Sequence, residues 1–380
     1  MSHVISNEEE LHWLALSLVP GLGPKKATQL VKHFQCASAI FRSSLPELES
    51  LGVPRGLAQS LLSGCTFDDA ATQQQTVRSL GVTLIPFTDH RYPHRLRHIY
   101  DPPPLLYARG RVELLDSVMI GVVGTRRPSA YGSAAATKLS EEMANAGITI
   151  ASGMAKGIDT SAHKAALVAG GNTVAVFGCG VDHIYPAENR KLAGEIAQKG
   201  LILSEFSVGT PAYPQNFPIR NRIVSGLSAG ILVVEGAQYS GSAITARLAL
   251  EQGRELYAVP GNITSKMSWV PNLLIKQGAK LVQTAEDVLA ELLPEDRRRA
   301  AACRPHAAAS PSQPTLDQGL TSEILRSVAA RLTVDQPTHI DTLLEDLPQY
   351  SSSELIAALF ELEMAGTIRQ LAGKHYIKVW

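Results

Sequence analysis

An α/β fold with a mostly parallel sheet is predicted by two features of this 380-residue sequence. Residues 117–290 alternate nearly continuous apolar runs (SVMIGVVG, ITIASG, TVAVFG, GLILSEF, ILVVEG, ELYAVPG) with helix-like stretches. Strands apolar on both faces belong to a parallel sheet covered on both sides. Several of the runs also end in glycine just before a helix-like stretch, which is how an open α/β sheet turns from strand to helix.

In order along the chain, residues 1–65 read as an all-helical N-terminal domain. The segment Val19-Pro20-Gly21-Leu22-Gly23, followed by Lys25 and Lys26, has the form of a helix-hairpin-helix turn, and LESLGVPRGLAQSLL is a weaker second copy. Such a turn can meet a phosphate, but a packing hairpin needs the same Gly and Pro. Residues 66–116 read as a connector containing the strand GVTLIPF, with Pro102 to Pro104 forcing an extended path. His90, His94 and His98 alternate with arginines and lack Cys or carboxylate partners, so a solvated basic edge is expected there rather than a metal site.

Residues 117–293 form the sheet domain, with helices expected at Tyr131–Ala146, Thr160–Ala169, Ala187–Lys199 and Ala243–Gln252. Residues 294–320, rich in Arg, Ala, Pro, Ser and Gln, read as a flexible linker. Residues 321–380 then give helix, short helix, helix and a closing hairpin, the winged-helix order. The last helix carries Glu354, Glu361 and Glu363 and no Lys or Arg, charges that phosphates would repel. Protein contact or packing is therefore expected of this domain.

Lys plus Arg equals Asp plus Glu at 35 each, so any affinity for a polyanion must come from a local patch. The four cysteines have no C-x-x-C spacing, which leaves neither a zinc site nor a disulfide framework. An acidic start without an apolar core, and no run near 18 apolar residues, give no secretory leader or membrane span. A cytoplasmic location is expected.

Three glycine turns carry basic side chains: Gly124-Thr125-Arg126, Ser152-Gly153 with Lys156-Gly157, and the segment from Phe217, Arg220, Asn221 and Arg222 to Ser240-Gly241. Glycine lets backbone amides approach an oxyanion, and an arginine fork matches phosphate oxygens. A row of such turns suits a row of phosphates. The spacing after MIGVVG matches neither G-x-G-x-x-G nor G-x-x-x-x-G-K-[ST], so no nucleotide cofactor is expected. Prolines 214 and 218 are read as holding a loop open, with Phe217 either a base-stacking face or a core anchor. Glu235 needs a partner near phosphates, with Arg222 or Arg247 as candidates. No nucleophile with a matched base emerges, so no catalytic residue is assigned and the protein is not expected to be an enzyme.

The stretches GVVGTRRPSAYG, ASGMAKGIDTSAH, AVFGCGVDHIYPAENRKL, FPIRNRIVSGLS, VVEGAQYSGSAITARLALEQGRELYAVPGN and LIKQGAKLV resemble the DNA-processing protein A (DprA/Smf) family, in family order over about 170 residues. The resemblance implies an extended Rossmann-like domain that binds single-stranded DNA, forms a homodimer and loads a RecA-type recombinase onto incoming DNA during natural transformation. By the same resemblance, DNA contacts fall on Arg126, Lys156 with its glycines, Phe217, Arg220 and Arg222, and the dimer edge falls on Leu274, Ile275 and Leu281. The N-terminal module is expected to be SAM-like or helix-hairpin-helix-like. The alternative is a nucleotide-cleaving phosphoribohydrolase of similar fold, whose PGGxGTxxE motif is replaced here by EGAQYSGSAITARLALEQ.

Overall fold

The structure, a computed structural model, describes residues 6–305 and 323–379. The chain divides into two compact units, residues 1–127 with 139–305, and residues 128–138 with 306–380.

The first unit opens with six helices: α1 (Asn7–Leu18), α2 (Pro24–Phe34), α3 (Ala37–Phe41), α4 (Leu45–Ser50), α5 (Arg55–Ser63) and α6 (Phe67–Ser79). Local chemistry sets their ends. Ser6 caps α1 by accepting from the Glu9 amide at 3.2 Å, and three glutamates fill the first turn, where the helix dipole favours anions. Ser44 and Glu47 form a capping box on α4, and Pro24 opens α2 where its missing N–H costs nothing. Gly21, at φ 80, makes the hairpin turn between α1 and α2.

The sheet elements follow: β1 (Thr83–Pro86), α7 (His94–Arg97), β2 (Leu105–Gly110), β3 (Met119–Val123), α8 (Ala130–Asn145), β4 (Thr149–Ser152), α9 (Ile158–Val168), β5 (Thr173–Val176), α10 (Arg190–Lys199), β6 (Leu201–Ser204), α11 (Asn216–Leu227), β7 (Gly230–Val233), α12 (Gly241–Glu251), β8 (Glu255–Ala258), α13 (Trp269–Lys276), β9 (Lys280–Leu281), α14 (Ala285–Leu289) and α15 (Pro294–Ala302). Nine strands pair in the order β1-β2-β6-β5-β4-β3-β7-β8-β9. From β6 to β9 the pairing is parallel, while β1–β2 and β2–β6 are antiparallel. The α/β class and mostly parallel sheet are those read from the sequence.

Two departures have physical causes. The segment read as a connector supplies two strands of the sheet, and Trp13, Leu30 and Leu61 of the N-terminal helices share one apolar core with Tyr107 of β2 and Val176 of β5. The segment read as linker from residue 294 begins with α15, whose Asp296 is buried against Arg95 at 2.5 Å and whose Arg299 bonds Asp116 at 2.7 Å. Composition favours disorder there; these ion pairs and the burial of Ala300 hold a helix instead. The rest of that expected linker, residues 306–320, lies outside the described residues.

The second unit contains α16 (Glu323–Arg331), β10 (Thr338–His339), α17 (Ile340–Asp346), α18 (Ser352–Met364), β11 (Ile368–Leu371) and β12 (His375–Lys378). Its strands pair in the order β10-β12-β11, over a core that includes Val328, Leu343, Leu355 and Leu362. This is the winged-helix arrangement. Of the three glutamates on α18, Glu354 and Glu361 are exposed and Glu363 is half-buried.

Candidate functional site

From β3 the chain runs outward through β4 and β5 to β6, then returns to the other side of β3 with β7 and β8. Loops after β3 and β7 therefore part at the carboxyl edge of the strands, where an open α/β sheet leaves a crevice. A cleft of about 600 Å³ opens there. Its lining includes Gly124, Thr125 and Arg126 after β3, Gly153 after β4, Phe217, Arg220 and Asn221 on α11, and Ser240 and Gly241 at the start of α12. Nine of the residues singled out from the sequence thus meet in one place.

The lip of the cleft is cationic and aromatic. Arg126 is exposed, and its guanidinium carbon stands 5.8 Å from the centroid of the Phe217 ring. Phe217 in turn lies 5.4 Å from Tyr185, the rings tilted by 32°. A methyl at Gly178 would come within 2.9 Å of the Phe217 ring, so the ring rests on bare backbone. On the opposite wall Ser240 opens α12 without a side-chain cap, its hydroxyl bonding Ser242 Oγ at 2.7 Å. The positive end of the eleven-residue helix is thereby presented to the cleft.

The second glycine turn works differently from the sequence expectation. Asp159 Oδ2 accepts from the amides of Gly153 (3.1 Å) and Ala155 (3.2 Å), so these donors hold a buried carboxylate instead of an external anion. Burial pushes the Asp159 pKa up, against the opposing effects of Arg220 and those two amides. Gly157, at φ 81, occupies the N-cap of α9, and Ser152 Oγ donates to Val122 O at 2.6 Å, tying β4 to β3. Lys156 is exposed and pairs with Glu188 at 2.5 Å, outside the cleft lining.

Arg220 and Arg222 depart further. The stretch read as an open loop is the first half of α11, with Pro218 in its first turn, where proline is tolerated. Two positions apart on a helix point to different sides, and both arginines are nearly sealed, at 4% and 5% exposure. Arg220 reaches beneath the cleft floor and donates to Gly153 O and Val176 O, the carbonyls at the ends of β4 and β5. Any side chain at Gly153 would overlap that guanidinium. Arg222 turns away, to Glu205 at 2.5 Å and Asp101 at 3.0 Å, and does not line the cleft. Burial raises the Glu205 pKa, and the charge of Arg222 opposes it. Arg222 is thus a buried ion-pair partner and not a surface contact, and Arg247, the other candidate partner of Glu235, bonds Glu251 at 2.8 Å.

His163 is fully buried behind the turn, its Nδ1 2.6 Å from Thr173 Oγ1. Burial, helped by the charge of Arg220, depresses its pKa to about 3. The cleft lining also includes Ser242 and Thr245 of the third glycine segment, and Tyr185, which sequence reasoning passed over. Tyr185 comes from the stretch between β5 and α10, where only its proximity to Pro186 and the preceding glycines hinted at a loop at the same edge. Of the predicted dimer residues, Leu274 is 8% exposed within its own protomer, Ile275 is half-buried and Leu281 is exposed on β9, the last strand of the sheet.

Comparison with known proteins is consistent with this geometry. Residues 83–293 match the family described as DNA recombination-mediator protein A, and residues 306–374 match the DprA winged helix domain. The chain is 46% identical over 216 residues to the DNA processing protein DprA of Bacillus subtilis, covering 57% of this chain and 73% of that one. The structure of DNA processing protein A from Streptococcus pneumoniae superposes with a TM-score of 0.67 at 35% identity, over 76% of this chain and 99% of that one. That of DNA processing protein A from Helicobacter pylori, solved for its single-stranded DNA binding mode, gives 0.50 at 32% identity over 55% and 93%. The chain belongs to the DNA recombination-mediator protein A family.

Proposed function

We propose that this chain is a non-enzymatic recombination mediator that holds single-stranded DNA across the carboxyl edge of its sheet. The observation that carries the reading is the Arg126–Phe217 pair at the lip, facing the uncapped start of α12 across the cleft. Arginine supplies a phosphate contact, an aromatic face takes a base of any sequence, and a helix N-terminus accepts a second phosphate. The single-stranded DNA binding of the Helicobacter pylori relative supports the same ligand class. Gly124, Thr125, Asn221, Ser240 and Gly241 form the polar lining, Ser152, Gly153 and Gly157 shape the turn behind it, and Lys156 adds a cation beside the cleft. Arg220 acts from below, by fixing the strand ends.

Within this reading the bound strand is handed to a RecA-type recombinase in the cytoplasm during natural transformation, a role drawn from the family. The experiment is fluorescence anisotropy on oligo-dT over a range of salt. Arg126→Ala and Phe217→Ala should each weaken binding about tenfold, and Arg126→Ala should also lower the log–log salt slope by about 0.7. Unchanged affinity and slope in both variants would remove the assignment. The homodimer is proposed along the β9 edge, with Ile275 and Leu281 as its apolar surface. Leu281→Glu should convert the dimer to a monomer in light scattering, and a wild-type monomer at micromolar concentration would remove that proposal.

A further inference from the structure

The carboxyl edge continues beyond the cleft. The loop after β7 is fastened to the loop after β8 and the start of α13 by two backbone hydrogen bonds, Gly236 N to Met267 O at 2.6 Å and Val270 N to Gly236 O at 2.9 Å. Together they form a single rim that begins next to Ser240 and Gly241. Three large apolar side chains stand in solvent on it: Tyr239 at 90% exposure, Ile263 at 91% and Trp269 at 42%. Tyr239 is held at φ 63, a left-handed conformation that disfavours any residue with a Cβ. Non-glycine residues kept in such conformations concentrate at functional sites. Charge on the rim has one sign. Residues 236–246 and 259–270, the two loops with the first turns of α12 and α13, contain Lys266 but no Asp or Glu. Lys266 is exposed, between Ile263 and Trp269 in the chain.

We propose that this rim is a second base-stacking platform, on which a single strand leaving the cleft lays nucleobases against Tyr239 and Trp269 and a phosphate against Lys266. The inference rests on the reading of the cleft as a strand-binding site. Exposed aromatic rings interleaved with a cation and free of carboxylates suit a polyanion with π faces. Continuity with the cleft gives the strand a path without a gap.

The test uses the full chain and two oligo-dT probes, one of about six nucleotides, enough for the cleft, and one of about twenty, enough to cross the rim. Tyr239→Ala with Trp269→Ala should weaken the long probe about tenfold and leave the short one unchanged, whereas Tyr239→Phe with Trp269→Phe should retain long-probe affinity. Long-probe binding should also quench tryptophan emission in the wild type, and Trp269→Phe should abolish most of that quench. Equal weakening of both probes by the double alanine variant, or no weakening of the long one, overturns the platform. Arg126→Ala reports separately on the cleft: it should weaken both probes, and indifference of both to that change would sink the cleft reading, not the platform alone.

Discussion

Arg220→Ala is expected to lower the stability of the first unit by about 3–5 kcal/mol, the usual cost of removing one partner from a buried charge constellation. Three groups are stranded at once. Gly153 O and Val176 O lose their donor, and the buried Asp159 carboxylate loses the positive charge that opposes its desolvation. Nη1 alone meets both carbonyls, and a guanidinium suits this position because it stays charged where burial would neutralise an ammonium. Arg220→Lys should therefore restore only part of the loss. The measurement is urea denaturation followed by circular dichroism, and a change below about 1 kcal/mol in the alanine variant would contradict the assignment of Arg220 as a structural cation. Arg126→Ala, an exposed change on the same cleft, should leave the midpoint nearly unmoved. The contrast separates the arginine that builds the site from the one that meets the ligand.

The same contrast shows which parts of this molecule are legible in its sequence. The central strands are, because a parallel strand buried on both faces has to be apolar throughout, and MIGVV, TIAS, TVAV and GILV carry that constraint in their composition. The cleft is legible for a related reason: glycines 124, 153 and 241 mark where the chain leaves the sheet edge, and strand order brings two of these turns around the switch point. What the pattern does not carry is the direction in which a charged side chain points. Arg220 and Arg222 read as a basic pair beside an aromatic, since arginines are mostly found in water. Only the helix that starts at Asn216 turns one under the floor and the other toward Glu205. Asp159 is the complementary case. A carboxylate after Lys156-Gly157-Ile158 looks like a helix cap, but the turn folds back so that it collects the amides of Gly153 and Ala155. The partners in these bonds lie up to 67 residues apart, and no local periodicity encodes them. Helix α15 is not legible because what orders it includes Arg95 and Asp116, about 200 and 180 residues earlier, and not its own weakly patterned sequence.

Acid should weaken the first unit through His163, by up to about 5 kcal/mol between pH 6.5 and pH 3. In the folded chain the imidazole is sealed beside Thr173, and burial together with the Arg220 charge keeps it neutral down to about pH 3. In the unfolded chain it takes up a proton near the ordinary pKa of 6.5. Below that pH the unfolded state binds the extra proton, so stability rises with pH throughout this window and is fully present above it. The limiting slope is about 1.4 kcal/mol per pH unit, which makes the loss from pH 7 to pH 5 about 2 kcal/mol. Two buried carboxyls act in the opposite sense. Asp159 and Glu205 have folded pKa values raised by burial, so each favours the folded state as pH falls through the range just above its ordinary value. The wild-type profile is the sum of these trends, and a substitution isolates the histidine. His163→Gln keeps a polar group beside Thr173 without a titrating ring, so it should be less stable than wild type at pH 7 and lose about 2 kcal/mol less than wild type on moving to pH 5. Urea midpoints of both proteins at the two pH values give that difference directly. Parallel losses in the two proteins would show that the buried imidazole is not the proton-linked group.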